Sequence, residues 1–322
     1  MIIALDGLTK NYKSYKRGEG FAESVKSLFK REYHTVEAVK QLSFTINEGE
    51  LVGLIGPNGA GKSTTLKMLT GILYPTSGSA EVMGFVPWRD RRRYVKSIGA
   101  VFGQKSQLIW DIPPIDSFAM NKAIYNVPER DYTSILDKLV DILLLGDLIK
   151  KPTRQLSLGE RMKCEFIMAM LHKPKIVFLD EPTIGLDVIA KDSIRTFVKE
   201  MNQNGVTFIL TTHDLSDIEH LCERTIVINH GTIEFDDKTE KLRGFSENRK
   251  LVRLKTDREI VDLEDENIQV INQISKYEAI VSLDTETLSI SKFINLMESS
   301  YRIIDLTIEE IPIEELVKKL YV

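Results

Sequence analysis

A glycine-rich stretch between an apolar run and a helix-like run constrains this chain more than any other feature. Residues 51–55 read as a short buried strand, and residues 62–69 read as a helix. Between and across them stand Gly56, Pro57, Asn58, Gly59, Ala60, Gly61, Lys62, Ser63 and Thr64. The spacing matches G-x-x-x-x-G-K-[ST] in the strand–turn–helix context that this motif requires, where backbone N–H groups and a helix N-terminus face phosphate oxygens. We therefore predict a phosphate-binding loop, with Lys62 on the terminal phosphates and Ser63 on Mg²⁺.

Composition narrows the class of protein further. The chain has 322 residues, 43% hydrophobic and 28% charged, which suits a globular protein with one large domain or a large and a small one. A net charge of -4 argues against a generic nucleic-acid binder. Cys164 and Cys222 make no disulfide framework or zinc site and fit a reducing compartment. Because no run approaches the ~18 to 20 apolar residues that span a bilayer and no basic leader precedes Asp6, we expect any membrane role to come from docking on a partner.

Apolar runs alternate with helical patterns over most of the chain. This alternation predicts an α/β fold with a mostly parallel, covered sheet. The residues from 113 to 172 are nearly all helix-like, which indicates a helical insert between strands. We predict strands at 51–55, 97–102, 176–179, 206–210 and 225–228, and helices at 131–145, 157–171 and 188–201.

The charge balance changes near residue 240. From Glu240 onward there are 12 basic and 17 acidic residues, and a break with Gly244 and Ser246 lies at 241–248. We expect a domain at 1–240 and a small α+β domain at 241–322. Its predicted strands are 251–254, 279–283 and 302–306, and its predicted helices are 288–297 and 313–321.

An acidic pair follows the apolar run at 176–179. Asp180 and Glu181 would come to the edge of the sheet that also holds the phosphate-binding loop. A loop of this kind needs a carboxylate for the metal and a group that polarises water. Asp180 suits the first role and Glu181 the second, although an acidic turn after an ordinary strand remains the alternative.

Together these residues resemble the ATP-binding-cassette (ABC) transporter ATPases. Residues 156–160, Leu-Ser-Leu-Gly-Glu, resemble the signature motif of that family. The resemblance implies that Ser157 and Gly159 contact the γ-phosphate of ATP held by an opposite subunit. Leu158 and Glu160 replace the usual glycine and glutamine. The same residues also form a capping-box pattern, and both interpretations can hold at once.

Four further residues take roles only through this resemblance. Gln104, 42 residues after Lys62, is similar to the glutamine that contacts Mg²⁺ or water. His213 resembles the histidine that hydrogen-bonds the γ-phosphate. Asp187 resembles the residue that contacts the other subunit, or it caps the helix that follows. Tyr12 resembles the aromatic that stacks on adenine, with Tyr15 and Tyr33 as competitors.

Two segments could contact a membrane or a membrane protein. Residues 13–36 are basic and place Phe21, Val25, Leu28 and Phe29 at helical spacing, which fits either headgroup contact or packing on the chain's own domain. Trp110 follows Gln104, where the family receives a helix of the transmembrane subunit; burial of Trp110 in the core is equally compatible. Arg89–Arg93 indicates a solvated turn.

The resemblance implies a P-loop ABC cassette with a mixed sheet and a helical subdomain, ATP and Mg²⁺ as ligands, and ATPase activity. It also implies a dimer with a copy or a paralogue, and export through a separate permease at the cytoplasmic face of the membrane. The alternatives are import, an ABC ATPase acting on ribosomes or chromosomes, and a nucleotide sensor without turnover.

Overall fold

The computed structural model of the chain describes residues 1–15, 33–103, 105–246, 248–261, 263 and 267–321. The hypotheses for Gln104 and for most of the basic segment 13–36 therefore concern residues outside this description. The chain divides into two compact units, Met1–Asp237 and Lys238–Val322. Among the described residues no helix has the length and apolar character needed to cross a membrane.

A six-stranded sheet forms the centre of the first unit. Its order is β5–β6–β7–β3–β8–β9, and the pairs β5–β6, β6–β7, β7–β3 and β3–β8 are parallel. The strands are β3 (Leu51–Ile55), β5 (Ile98–Phe102), β6 (Ile176–Asp180), β7 (Thr207–Thr211), β8 (Arg224–Asn229) and β9 (Thr232–Lys238). The apolar runs of β3, β6, β7 and β8 are buried on both faces, as expected for a covered parallel sheet, whereas β9 at the edge is half-buried or exposed along its length.

A three-stranded antiparallel sheet in the first unit was not predicted. Its order is β2–β1–β4, with β1 at Ile3–Tyr15, β2 at Tyr33–Ile46 and β4 at Ser77–Val82. These strands alternate apolar and polar residues and are interrupted by bulges, so they lack the apolar runs that marked the other strands. Their apolar side chains join those of β3, β6 and the first helix in one core cluster.

Helices cover the central sheet and fill the long connection between β5 and β6. In chain order they are α1 (Lys62–Leu69), α2 (Arg91–Tyr94), α3 (Pro114–Tyr125), α4 (Glu129–Ile142), α5 (Leu158–Met170), α6 (Val188–Gln203) and α7 (Leu215–Leu221). Helix α3 begins with Pro114, whose fixed φ suits the first helical position, and ends at Asn126 with a left-handed φ of 54°.

The second unit is a small α+β assembly with its own core. An antiparallel sheet of order β11–β12–β10–β13 packs against α8 (Ile290–Ser300), whose Phe293 and Met297 are buried against the sheet. The strands are β10 (Arg249–Thr256), β11 (Ile268–Ser275), β12 (Glu278–Asp284) and β13 (Ile303–Glu310), and α9 spans Ile313–Lys319.

Candidate functional site

The site is a cleft of about 610 Å³ at the carboxyl ends of the parallel strands. Strand β3 leads into the glycine loop, β6 ends at Asp180, and β7 leads to His213. The described lining residues are Asn58, Ser63, Lys67, Ile72, Phe102, Gly103, Lys105, Asp180, Glu181, Ile184 and His213. The topology thus brings together residues that are up to 155 positions apart in the chain, from Asn58 to His213.

Two glycines shape the loop that leaves β3. Gly56 has φ 155°, and a Cβ there would lie 2.0 Å from the carbonyl oxygen of Ile228. Gly61 has φ 109° at the start of α1, and a Cβ there would lie 2.4 Å from the carbonyl oxygen of Ala38. Neither position can hold a larger residue without moving backbone, so the loop geometry depends on glycine at both.

Lys62 is buried and contacts its own loop. Its ammonium group donates to the carbonyl oxygens of Gly56 at 2.6 Å and Pro57 at 3.1 Å. Burial lowers the pKa of Lys62, while the carboxylates of Glu181 and Asp180 act in the opposite direction. The ammonium therefore stands partly desolvated inside the loop, where an anionic ligand would be a strong partner.

Ser63 and Asp180 meet across the cleft, although they are far apart in sequence. The Ser63 hydroxyl donates to Oδ1 of Asp180 at 2.9 Å, and the Thr211 hydroxyl donates to the same oxygen at 2.6 Å. Thr211 stands two residues before His213, but the sequence assigns it no role, because no local spacing links this threonine to Asp180.

Glu181 is held in a strained backbone conformation beside His213. Its φ is 55°, in the left-handed region that a glutamate rarely adopts, and its N–H donates to Thr211 O at 2.9 Å. Nδ1 of His213 is hydrogen-bonded to Oε2 of Glu181. An ionised carboxylate only accepts, so with Glu181 charged Nδ1 is the donor.

A buried network behind Glu181 was also missed by sequence reasoning. Asp217 on α7 is fully buried and accepts from the Thr183 hydroxyl and from Arg195 Nε at 2.7 Å. Arg195 also donates to the Ser216 hydroxyl at 2.7 Å. The network ties the turn after Glu181 to α6 and α7. It joins residues from three segments, and no sequence spacing links them.

Ser157, Gly159 and Asp187 lie outside the lining of the cleft. Ser157 caps α5 in a capping box with Glu160, through bonds of 3.2 and 2.8 Å, and Asp187 caps α6 by accepting from Ala190 N at 2.8 Å. A Cβ at Gly159 would lie 2.8 Å from Ala190, so α5 and α6 meet here at close range. The capping alternatives for Ser157 and Asp187 are therefore observed.

The two predicted aromatic contact residues are both at the surface. Tyr12 is partly exposed beside Lys10, whose ammonium lies 5.4 Å from the ring centroid, and Tyr12 is not among the described residues that line the cleft. Trp110 is 53% exposed, so the alternative that it belongs to the core is wrong.

Comparison with known proteins decides the family. The family model described as ABC transporter matches residues 39–184. The lantibiotic transport ATP-binding protein SrtF of Streptococcus pyogenes is 32% identical over 223 residues, which is 68% of this chain and 94% of that protein. This chain belongs to the ABC transporter ATP-binding proteins. The uncharacterized ABC transporter ATP-binding protein YdbJ of Bacillus subtilis is 29% identical over 284 residues, 82% of this chain and 89% of YdbJ.

Solved structures show the same cassette fold. A dimeric ATP-binding cassette in a post-hydrolysis state, bound to ADP and phosphate, matches with a TM-score of 0.61 at 24% identity, over 73% of this chain and 98% of that one. An ATP-binding subunit of an ABC transporter matches with a TM-score of 0.63 at 22% identity, over 76% and 92%. The predicted fold class is confirmed, and the protein is an ATP-binding, ATP-hydrolysing subunit of an ABC transporter.

Proposed function

We propose that this cassette hydrolyses ATP in a two-chain site to drive export through a separate membrane permease. The observation that carries the proposal is the single cleft that joins the glycine loop, the Ser63–Asp180 pair and the Glu181–His213 pair. Export is favoured by the relatives: SrtF is named for lantibiotic transport, and LnrL of Bacillus subtilis, 31% identical over 202 residues, for linearmycin resistance. LnrL is matched over 65% of its length and 63% of this chain.

The glycine loop is proposed to hold the ATP phosphates. Its backbone N–H groups and the N-terminus of α1 provide a positive cradle for an anion. The ammonium of Lys62, which now donates to loop carbonyls, would exchange those neutral acceptors for phosphate oxygens and form stronger, charge-assisted bonds. Tyr12 stays a proposal for adenine stacking.

The residues at the centre of the cleft fit Mg²⁺. The Ser63 hydroxyl and the Asp180 carboxylate stand 2.9 Å apart, and hard oxygen ligands of this kind, completed by phosphate oxygens and water, are what Mg²⁺ prefers. Gln104 is proposed as a further oxygen ligand from outside the described residues. When bound, the ion would neutralise charge on the phosphates. Ser63 and Asp180 would fix its place.

Glu181 is proposed as the general base. Its carboxylate takes a proton from water as the water oxygen bonds to the γ-phosphorus. The bond between that phosphorus and the bridging oxygen breaks, giving ADP and phosphate. Nδ1 of His213 is hydrogen-bonded to the Glu181 carboxylate, and we propose that the imidazole turns to the γ-phosphate of bound ATP.

A second chain is proposed to complete the site. Ser157, Gly159 and Asp187 lie outside the cleft of their own chain, while Leu158, Val188 and Ile189 beside them are exposed. Head-to-tail pairing of two copies, or of this chain with a paralogue, would cover these apolar side chains and bring Ser157 and Gly159 to the partner's γ-phosphate. ATP binding would then favour closure, and hydrolysis would favour opening.

The remaining assignments concern the permease and the domain plan. We propose that the exposed Trp110 surface receives the permease, which would place the cassette at the cytoplasmic face of the membrane as a peripheral subunit. We also propose an ATPase domain at 1–240, with its helical subdomain at about 113–172, and an accessory domain at 241–322. The separate core clusters of the two compact units support this division.

The proposal is tested by two measurements on the full chain. Purified protein should release phosphate from ATP only with Mg²⁺, and it should co-purify with a membrane protein encoded beside it. Magnesium-independent turnover would contradict the site. Association with ribosomes or DNA in place of a membrane protein would contradict the transport role.

A further inference from the structure

Helix α5 carries a buried carboxylate that holds the loop after Gln104. Glu165 is 3% exposed. Its Oε1 accepts from the Ser106 hydroxyl at 2.5 Å, and its two oxygens accept from the Gln107 N–H at 3.0 and 3.1 Å. The Leu108 N–H adds a longer bond of 3.4 Å. The Glu165 side chain thus accepts hydrogen bonds from three consecutive residues of this loop.

Such an arrangement is costly unless the carboxylate has a specific task or a full set of partners. Burial raises the pKa of Glu165, and the bonds from Ser106, Gln107 and Leu108, with the nearby Arg161, oppose that rise. A buried apolar residue at this position would avoid the cost of desolvation but leave the Gln107 N–H without the Glu165 oxygens as acceptors. The carboxylate therefore fixes the loop in one geometry relative to α5.

Further contacts attach the same loop to the start of α5. The Arg161 guanidinium lies 5.7 Å from the centre of the Trp110 ring. The Arg154 N–H donates to the Trp110 carbonyl at 3.0 Å, and its guanidinium pairs with Asp111 at 3.1 Å. At the other end of the loop, Lys105 lines the cleft. The loop segment 105–111 thus runs from the nucleotide cleft to the surface along α5 and the turn before it.

We propose that Glu165 is a positioning residue that joins the loop segment 105–111 to α5. Residues 106–108 of the loop, which follow the cleft-lining Lys105, then keep a fixed geometry relative to the helix that Ser157 caps. The inference rests on the proposed function, in which these two elements contribute to opposite sites of a dimer. A change at one nucleotide site would thereby reach the surface around Trp110. Glu165 itself does not touch the cleft.

The kinetic test compares Glu165→Ala and Glu165→Gln with the wild-type chain. Alanine removes the oxygens that accept from the Gln107 N–H and the Ser106 hydroxyl, while the Leu108 N–H keeps its bond of 3.2 Å to the Ser106 hydroxyl oxygen. Glutamine keeps the shape but turns an N–H group toward the Gln107 N–H. We expect kcat for ATP hydrolysis to fall about 10- to 100-fold in Glu165→Ala, because small misplacements of a site cost this much. Glu165→Gln should show a smaller loss of about 3- to 10-fold. The KM for ATP should change less than about twofold, since the phosphate-binding loop is untouched.

Asn121→Ala is the matched control. Asn121 is buried on α3, and its amide donates to Met168 O of the same helix α5 at 2.8 Å. The variant therefore removes a buried hydrogen bond to α5 and leaves the hydrogen bonds between Glu165 and the loop segment 105–111 in place. Each variant is assayed at a temperature at which its folded fraction equals that of wild type. Under these conditions we expect kcat of Asn121→Ala to lie within about twofold of wild type. An equal loss of kcat in this control would assign the Glu165 effect to stability and overturn the proposal.

Tryptophan fluorescence reports the loop directly. Trp110 is 53% exposed in the loop segment, while Trp88 is 9% exposed and is removed by Trp88→Phe. In that background, acrylamide quenching of Trp110 should increase in Glu165→Ala, because the ring loses its fixed place beside Arg161. It should stay at the wild-type value in Asn121→Ala. Unchanged quenching in Glu165→Ala would overturn the proposal even if hydrolysis were slower.

The two hypotheses fail in different ways. Absence of hydrolysis in the wild-type chain would contradict the proposed function, and quenching would still test the contact. Normal hydrolysis by the wild-type chain, with the wild-type kcat in both Glu165 variants, would contradict this inference alone. If Glu165→Ala does not fold, Glu165→Gln provides both measurements.

Discussion

At the scale of single residues, Glu181 is the side chain on which turnover depends most directly in the proposed mechanism. It follows a metal-binding candidate, Asp180, and its left-handed φ of 55° turns the carboxylate toward the cleft and His213. Strain of this kind persists only where surrounding structure enforces it. Here the Thr211 carbonyl and the Thr183–Asp217 contact hold the backbone on either side.

Glu181→Gln should lower turnover about 100-fold or more while ATP affinity stays within about threefold. The amide cannot accept the proton of the attacking water, but it leaves the loop and the Ser63–Asp180 pair in place. Phosphate release and equilibrium ATP binding would check the two parts. Glu223→Gln, at an exposed carboxylate outside the cleft lining, serves as the control and should leave both unchanged. Unaltered turnover in Glu181→Gln would contradict the base assignment.

The Asp214 carboxylate should make the stability of the fold depend on pH. Burial tends to raise its pKa, but hydrogen bonds from Lys191 and Ser216 outweigh burial and lower the pKa to about 2. A depressed folded-state pKa stabilises the fold above the unfolded value of about 3.9, and this contribution is lost as pH falls toward 2. The free energy of unfolding of wild type should exceed that of Asp214→Asn by about 1 kcal/mol near neutral pH. In urea titrations the difference should shrink below about pH 4. A difference in the free energy of unfolding that grows on acidification would contradict this role of the Asp214 carboxylate.

At the scale of elements, the turn between β3 and α1 is tightly constrained by neighbouring backbone. A Cβ at Gly56 would lie 2.0 Å from Ile228 O on the neighbouring strand, and the φ of 155° is itself unfavourable for other residues. Gly56→Ala should therefore destabilise the first unit by about 2 kcal/mol or more and abolish ATP binding. Gly244→Ala, where a Cβ meets nothing within 4 Å, is the control and should unfold like wild type. Calorimetry and ATP binding would check both.

Strands were predictable from the sequence where apolar residues form a continuous run. Strands β3, β5, β6, β7 and β8 were predicted within a residue or two, because their apolar runs are buried on both faces. Strands β1, β2, β4, β9 and β11 were missed, since strands that are half-buried or largely exposed show no such run. In the site, the glycine loop and the acidic pair follow from local spacing. The contacts of Thr211, Asp217 and Glu165 do not, because they arise only when distant segments meet.

At the scale of the whole molecule, the two compact units have separate cores. The first contains the cleft and its described lining, and the second contains the β11–β12–β10–β13 sheet with α8. A chain truncated after Asp237 should therefore keep its ATP affinity and turnover within about threefold of the full chain. Isothermal titration and phosphate release would measure these values. Loss of ATP binding in a truncated chain that remains folded by circular dichroism would contradict this domain plan.

The central claim is that one chain binds ATP in its cleft and a second chain closes over it. Light scattering of Glu181→Gln measures this directly, because the variant should keep ATP bound without turnover. With Mg²⁺ and ATP the mass should double from the 36.7 kDa of one chain. It should stay at one chain with ADP, and also with ATP when Lys62→Ala is added. A mass of one chain at saturating ATP would contradict pairing between two copies of this chain, and a doubled mass without nucleotide would contradict closure driven by ATP.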